Sequence, residues 1–60
     1  MEKTHIGIKI KTIRRVKGLT QEDLAEKINK TRALIAHIEQ SGKASYYTLK
    51  SILDALDVSD

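Results

Sequence analysis

The chain has 60 residues, with 11 Lys and Arg against eight Asp and Glu, a net charge of +3 and no cysteine. This length indicates a single domain over residues 1–60 with modest stability. The lack of cysteine excludes a disulfide framework and a thiolate site. No apolar run approaches the roughly 20 residues that a membrane span requires, and the start lacks a signal peptide's apolar core, so we expect a cytoplasmic protein.

The first predicted helix covers residues 6–17. Ile6, Ile10 and Ile13 recur at helical spacing. Gly18 follows as the left-handed residue that ends the last turn, and Leu19 can pack back onto the helix. Six of the 11 Lys and Arg precede Gly18. Such a basic stretch is typical of a phosphate-binding surface, or simply of a solvated one.

The second predicted helix covers residues 21–28. Thr20 can cap its free amides, and Asp23 stands three residues later, near the positive end of the helix. The inward positions are Leu24, Ala25 and Ile28. Asn29 follows, and after glycine it is the residue that best tolerates a left-handed backbone. The helix therefore ends in a sharp turn.

The third predicted helix covers residues 32–40, with Thr31 as its cap and Leu34, Ile35 and Ile38 as its apolar positions. A helix, a turn of three or four residues and a second helix form the helix-turn-helix unit, whose second helix enters the DNA major groove. Only the first two turns of that helix must reach bases, so it can be short. Phosphates flank the groove and disfavour acids. The only acid, Glu39, should therefore point inward.

The fourth predicted helix covers residues 46–56, after Ser45 as its cap. Its apolar positions follow a helical period and are Tyr46, Leu49, Ile52, Leu53 and Leu56. No segment has a convincing strand pattern. The predicted fold class is all-α, a compact bundle of four helices.

Two stretches, IGIKIKTIRRVKGLTQEDLAEKI and IAHIEQSGK, resemble the lambda-repressor/Cro-like (XRE-type) helix-turn-helix family. The resemblance extends from Ile6 to Val58. Gln21 and Ala25 match the first and fifth positions of the family's twenty-residue motif, and Asn29 replaces its usual glycine. The resemblance implies a lambda-repressor-like DNA-binding domain, here a truncated form of a five-helix fold. Ser59 stands where relatives cap a fifth helix.

The resemblance also implies DNA contacts. The expected base contacts are Arg32, Ala33 and His37, and the expected phosphate contacts are Gln21, Thr31, Gln40 and Lys43. Chemically, Arg32 can pair bidentately with guanine, and Ala33 can offer a methyl group to thymine. The alternatives are a phosphate contact or a solvated cation for Arg32, a cap alone for Thr31, and an ordinary surface histidine for His37.

The resemblance also points to two further sets of residues. Arg14 and Glu39 resemble an ion pair that many relatives bury, and a buried carboxylate needs such a cation. The alternative is two independent surface charges. Ile8, Val16 and Tyr47 stand where the family usually has polar or charged residues. They are a candidate partner surface, or scattered exposed residues of no consequence.

Two functions remain open. The first is sequence-specific binding of double-stranded DNA by a repressor-type regulator, on a palindromic operator, with a homodimer that is weak without DNA. The second is a protein-interaction module on the same fold, such as an antitoxin or a coactivator or regulator partner. The chain has no nucleophile–base pair and no phosphate loop, so we expect no enzyme. His5 and His37 lack carboxylates at ligand spacing, so we expect no metal and no cofactor.

Overall fold

The computed structural model describes residues 5–58, which form four α-helices and no strand. The helices are α1 (Ile6–Val16), α2 (Gln21–Lys27), α3 (Arg32–Ser41) and α4 (Tyr46–Ala55). The prediction of an all-α, four-helix fold is confirmed. Each observed helix ends one residue away from its predicted last residue. Ser59, the predicted cap of a fifth helix, lies outside the described residues. None of the helices in residues 5–58 is long and apolar enough to cross a membrane.

Each helix begins at a residue whose side chain accepts a hydrogen bond from a backbone amide in the first turn. Thr20 and Asp23 form a reciprocal capping box, with distances of 3.0 and 2.9 Å. Thr31 and Ser45 cap α3 and α4, as their sequence positions predict. The cap of α1 is His5, whose Nδ1 accepts from the Gly7 amide at 3.0 Å. Sequence reasoning missed this cap because histidine is not among the preferred capping residues.

The helix ends use left-handed residues. Gly18 has φ 75° and Asn29 has φ 60°, as the turn chemistry predicts. After Gly18 the Leu19 amide donates to the Arg14 carbonyl at 3.0 Å, and after Asn29 the Lys30 amide donates to the Ala25 carbonyl at 2.8 Å. These bonds satisfy carbonyls that would otherwise lack partners, and they fold the chain back sharply after α1 and α2.

The core is a single cluster of aliphatic side chains that are at most 2% exposed, contributed by all four helices: Ile10, Leu24, Ala25, Ile35, Ile38, Ile52 and Leu56. Ala25 is small, which lets α2 and α3 approach closely. Burying each large side chain stabilises the fold by roughly 1.5–3 kcal/mol relative to leaving it exposed. The core therefore holds α3 in place from behind and leaves its other face open.

The prediction that Tyr46 faces the core is wrong. Tyr46 is 72% exposed, although its spacing from Leu49 fits an inward position. It is the first residue of α4, and a helical side chain covers the turn that precedes its own Cα. No earlier turn of α4 exists there. The Tyr46 ring instead meets the ring of Tyr47 edge-on, with centroids 5.8 Å apart.

A close approach between α1 and the end of α3 depends on Gly7. A Cβ atom at this position would lie 2.5 Å from the Glu39 carbonyl oxygen and closer still to that of Ile38. Real Cβ atoms do not come so near. Only glycine therefore permits this crossing, which sets α1 directly against the C-terminal half of α3.

Candidate nucleic-acid interface

The outward face of α3 carries exposed side chains and no exposed carboxylate. Ile35, Ile38 and Glu39 are buried. The exposed positions are Arg32, Ala33, His37 and Gln40. Ala33, His37 and Gln40 are spaced by four and three residues, so they lie on one side of the helix. Arg32 is the only cation on α3, and its first turn contains no acid. A negatively charged polymer can therefore approach this face without repulsion.

The side chain of His37 lies close to Ser41 at the end of α3. The Ser41 hydroxyl donates to the His37 carbonyl oxygen at 2.8 Å and lies 3.5 Å from its Nε2. The same hydroxyl oxygen accepts from the Lys43 amide at 3.1 Å. The ring of His37 therefore lies beside the Ser41 hydroxyl, near the C-terminal end of α3. The sequence contains no signal for this contact, because serine at this spacing is common in helices.

The residues expected at phosphates are placed differently from one another. Gln40 and Lys43 are exposed. The Thr31 hydroxyl oxygen accepts from the Leu34 amide at 3.2 Å, so its O–H group remains able to donate to a phosphate. Gln21 is only partly exposed, and its Nε2 donates to Glu39 Oε1 at 3.1 Å. One N–H of the Gln21 amide is therefore used within the protein, and one remains.

The structure brings Arg14 and Glu39 together in a buried, bidentate ion pair. Arg14 Nε lies 2.6 Å from Glu39 Oε2, and a terminal nitrogen lies 3.1 Å from Oε1. The other terminal nitrogen donates to the Leu19 carbonyl at 2.7 Å. The two residues are 7% and 6% exposed. Within residues 5–58, no buried side-chain nitrogen or oxygen lacks a partner. The pair thus joins α1, α3 and the loop before α2.

The carboxyl groups of Glu39 and Asp23 have lowered pKa values. Burial favours the neutral form of Glu39, but hydrogen bonds from Arg14 and Gln21 and the charges of Arg14 and Lys11 outweigh it, so the Glu39 pKa is lowered. The pKa of Asp23 is lowered mainly because its carboxylate accepts the Thr20 backbone N–H in the capping box. Glu39 is therefore ionised at neutral pH, and Arg14 balances its charge.

A groove of about 330 Å³ opens beside this pair, between α1 and α3 and next to the first residue of α2. Its lining residues are Lys11, Gln21, Ala36, Glu39 and Gln40. Two of them, Gln21 and Gln40, are predicted phosphate contacts. Sequence reasoning missed Lys11 and Ala36. The only available signal was that Lys11 precedes Arg14 by three residues, which places both on one side of α1.

The sequence matches the helix-turn-helix family HTH_3 over residues 10–60. The chain belongs to this family. The resemblance to lambda-repressor/Cro-like proteins is thereby confirmed. A solved structure described as the HipB-O1-O2 complex is also similar, with a TM-score of 0.82 and 28% sequence identity, over 100% of this chain and 94% of that one. A comparison with curated proteins gives no match.

The remaining candidate surface of this helix-turn-helix protein is apolar. Ile8 is 45% exposed and Val16 is 79% exposed, both on α1, while Tyr47 of α4 is 80% exposed. Ile8 and Val16 are eight residues apart and so lie roughly along one side of α1. None of the three belongs to the core or to the groove. Among the described residues, no group of three His, Cys, Asp or Glu is placed to hold a metal ion.

Proposed function

We propose that this helix-turn-helix protein binds double-stranded DNA in the major groove, reads its sequence, and acts as a repressor-type transcriptional regulator. The observation that carries the proposal is the exposed face of α3, which presents Arg32, Ala33 and His37 and has no exposed carboxylate. In a helix-turn-helix unit, this second helix is the one that enters the groove. Its fixed position against the core supports reading by rigid docking.

Three side chains with different chemistry would contact the bases. Arg32 stands in the first turn of α3 and can donate two hydrogen bonds to guanine O6 and N7, a contact that discriminates by about 1–3 kcal/mol. The Ala33 methyl can contact the methyl group of thymine. His37, one turn later, can donate or accept at a purine edge. Together these contacts span only a few base pairs.

Phosphate contacts would position the domain without reading sequence. Gln21 and Thr31 lie at the starts of α2 and α3, while Gln40 and Lys43 lie at and just after the end of α3. This arrangement supports contacts on both sides of the inserted helix. Three of these residues are neutral donors and Lys43 is a cation. The salt dependence of DNA affinity increases with the number of phosphate contacts that cations make.

A palindromic operator is the expected target. One recognition helix covers too few base pairs to select a site in a genome. Helix-turn-helix proteins meet this need by placing two recognition helices about 34 Å apart on one face of the duplex. Two copies held by one DNA molecule have a raised effective concentration. A dimer that is weak in solution can therefore bind cooperatively.

A second function is favoured by the exposed apolar residues. Ile8, Val16 and Tyr47 are 45–80% exposed and lie outside the DNA-facing set. They support a protein-interaction role, as an antitoxin or as a partner of another regulator. This role does not compete with DNA binding, because it uses other side chains.

The test is a selection from random duplexes followed by titration of variants. Wild-type protein should enrich a defined sequence. Arg32→Ala should then lose about 1–3 kcal/mol on that sequence and relax the preference at one or two bases. Arg15→Ala, an exposed arginine on α1, is the matched control and should leave the preference unchanged. No enrichment by the wild type would refute sequence-specific binding. An equal loss for Arg32→Ala on all duplexes would reduce Arg32 to a phosphate contact.

A further inference from the structure

We propose that the groove between α1 and α3 seats one backbone phosphate of the bound DNA, and that Lys11 is the cation that holds it. The inference rests on the proposed DNA binding and extends the contact surface to α1. Lys11 lines the groove from α1, while Ala36 and Gln40 line it from α3. The ligand is thus a phosphodiester, bound by one ammonium group and by neighbouring amides.

The charges in the groove favour an anion. Glu39 forms part of its lining, but both of its carboxylate oxygens accept hydrogen bonds from Arg14 or Gln21. The charge of Glu39 is therefore balanced by Arg14. The ion pairs described in residues 5–58 do not include Lys11. Lys11 is a second cation near the Glu39 carboxylate, so Lys11, Arg14 and Glu39 together give the groove a net positive charge.

The position of the groove favours DNA as the source of the phosphate. Ala36 directly precedes His37, and Gln40 lies one turn beyond Ala36 on α3. The groove therefore borders the face that carries the predicted base contacts. When a helix lies in the major groove, the sugar-phosphate backbone runs along both of its sides. A phosphate beside α3 would come next to the groove, and the small Ala36 side chain leaves room for it.

Other cations of α1 lack this placement. Lys9 is exposed and does not line the groove. It is two residues from Lys11, which places it on nearly the opposite side of the helix. Lys9 and Lys11 therefore form a matched pair. Both are exposed lysines of α1, but only Lys11 lines the groove.

The experiment measures DNA affinity by fluorescence anisotropy at several salt concentrations, using the duplex selected by the wild-type protein. Each phosphate contact made by a cation contributes about 0.9 to the slope of log K against log salt. Lys11→Gln should lower the magnitude of the slope by about that amount and weaken binding on selected and scrambled duplexes alike. Lys9→Gln should keep the wild-type slope, and Lys11→Arg should keep most of it. Far-UV circular dichroism would check that each variant is folded.

The outcomes separate this inference from the proposed function. If the wild-type protein binds DNA with a clear salt dependence, and Lys11→Gln has the same slope of log K against log salt, the Lys11 contact alone is overturned. An equal reduction for Lys9→Gln would also overturn it, because the effect would then come from overall charge. A wild-type protein that binds no duplex at low salt would overturn both proposals.

Discussion

The buried pair of Arg14 and Glu39 makes the sharpest prediction about stability. Arg14→Met removes three hydrogen bonds, two to Glu39 and one to the Leu19 carbonyl. It leaves a Glu39 carboxylate that is 6% exposed and keeps only the hydrogen bond from the Gln21 amide. Breaking a buried pair in this way costs about 3–5 kcal/mol. A domain of this length has a total stability of roughly 3–9 kcal/mol, so the variant should be close to unfolding.

The double variant Arg14→Met/Glu39→Leu should recover most of this loss. Replacing a buried pair by apolar residues of similar size is often neutral or stabilising. The bond from Arg14 to the Leu19 carbonyl is still lost, and a single hydrogen bond is worth about 1 kcal/mol. The double variant should therefore be folded and weaker than the wild type by about that amount.

Urea unfolding followed by far-UV circular dichroism measures all of these free energies. Lys50→Met is the control, because it breaks an exposed pair in which Lys50 and Asp54 lie 3.7 Å apart and their side chains are 59% and 70% exposed. It should cost about 0.5 kcal/mol or less. If the losses in free energy of unfolding for Arg14→Met and Glu39→Leu simply add up in the double variant, Arg14 and Glu39 do not act as a buried pair.

Gly7→Ala should destabilise the fold by about 1–3 kcal/mol, because its methyl group would meet the carbonyls of Ile38 and Glu39. Gly18→Ala faces open space and should cost only about 1–2 kcal/mol of left-handed strain; a harmless Gly7→Ala in thermal unfolding would contradict the close approach. The lowered Glu39 pKa adds stability that is present above the ordinary value of 4.5 and is lost as the pH falls through the lower folded-state pKa. Unfolding scans in acid should show this loss, and a Glu39→Gln variant with an equally steep loss would argue against it. Sedimentation without DNA should find a monomer or a weak dimer, because the scattered apolar residues cannot easily build an interface of about 1,000 Å². A tight dimer at micromolar concentration would show that α1 or α4 carries a larger interface.

Local sequence signals predict most of the architecture. The caps Thr20, Thr31 and Ser45 and the left-handed residues Gly18 and Asn29 act within one helical turn of where they stand. Their chemistry is therefore readable from short stretches. The tight turn between α2 and α3 follows from them. The inward position of Glu39 could be predicted for another reason. On a helix that is expected to face DNA phosphates, an outward carboxylate would be repelled.

Contacts between distant segments could not be predicted from the sequence in this way. The approach of Gly7 to the end of α3 and the groove shared by Lys11 and Gln40 join residues about 30 positions apart. No periodicity within one helix encodes such a crossing. His5 as a cap was missed because histidine is not among the preferred capping residues. Tyr46 was wrongly assigned to the core from its helical spacing. That spacing predicts burial only where a preceding helical turn exists, and the first residue of a helix has none.

The proposed entry of α3 into the DNA major groove can be tested by NMR. Amide spectra of nitrogen-labelled protein, recorded while the selected duplex is added, show which residues contact the DNA. The largest shifts should extend from Thr31 to His37, with further shifts at Lys11 and Lys43 and little change around Asp54 on α4. Shifts centred on Ile8 and Val16, with α3 unaffected, would contradict it.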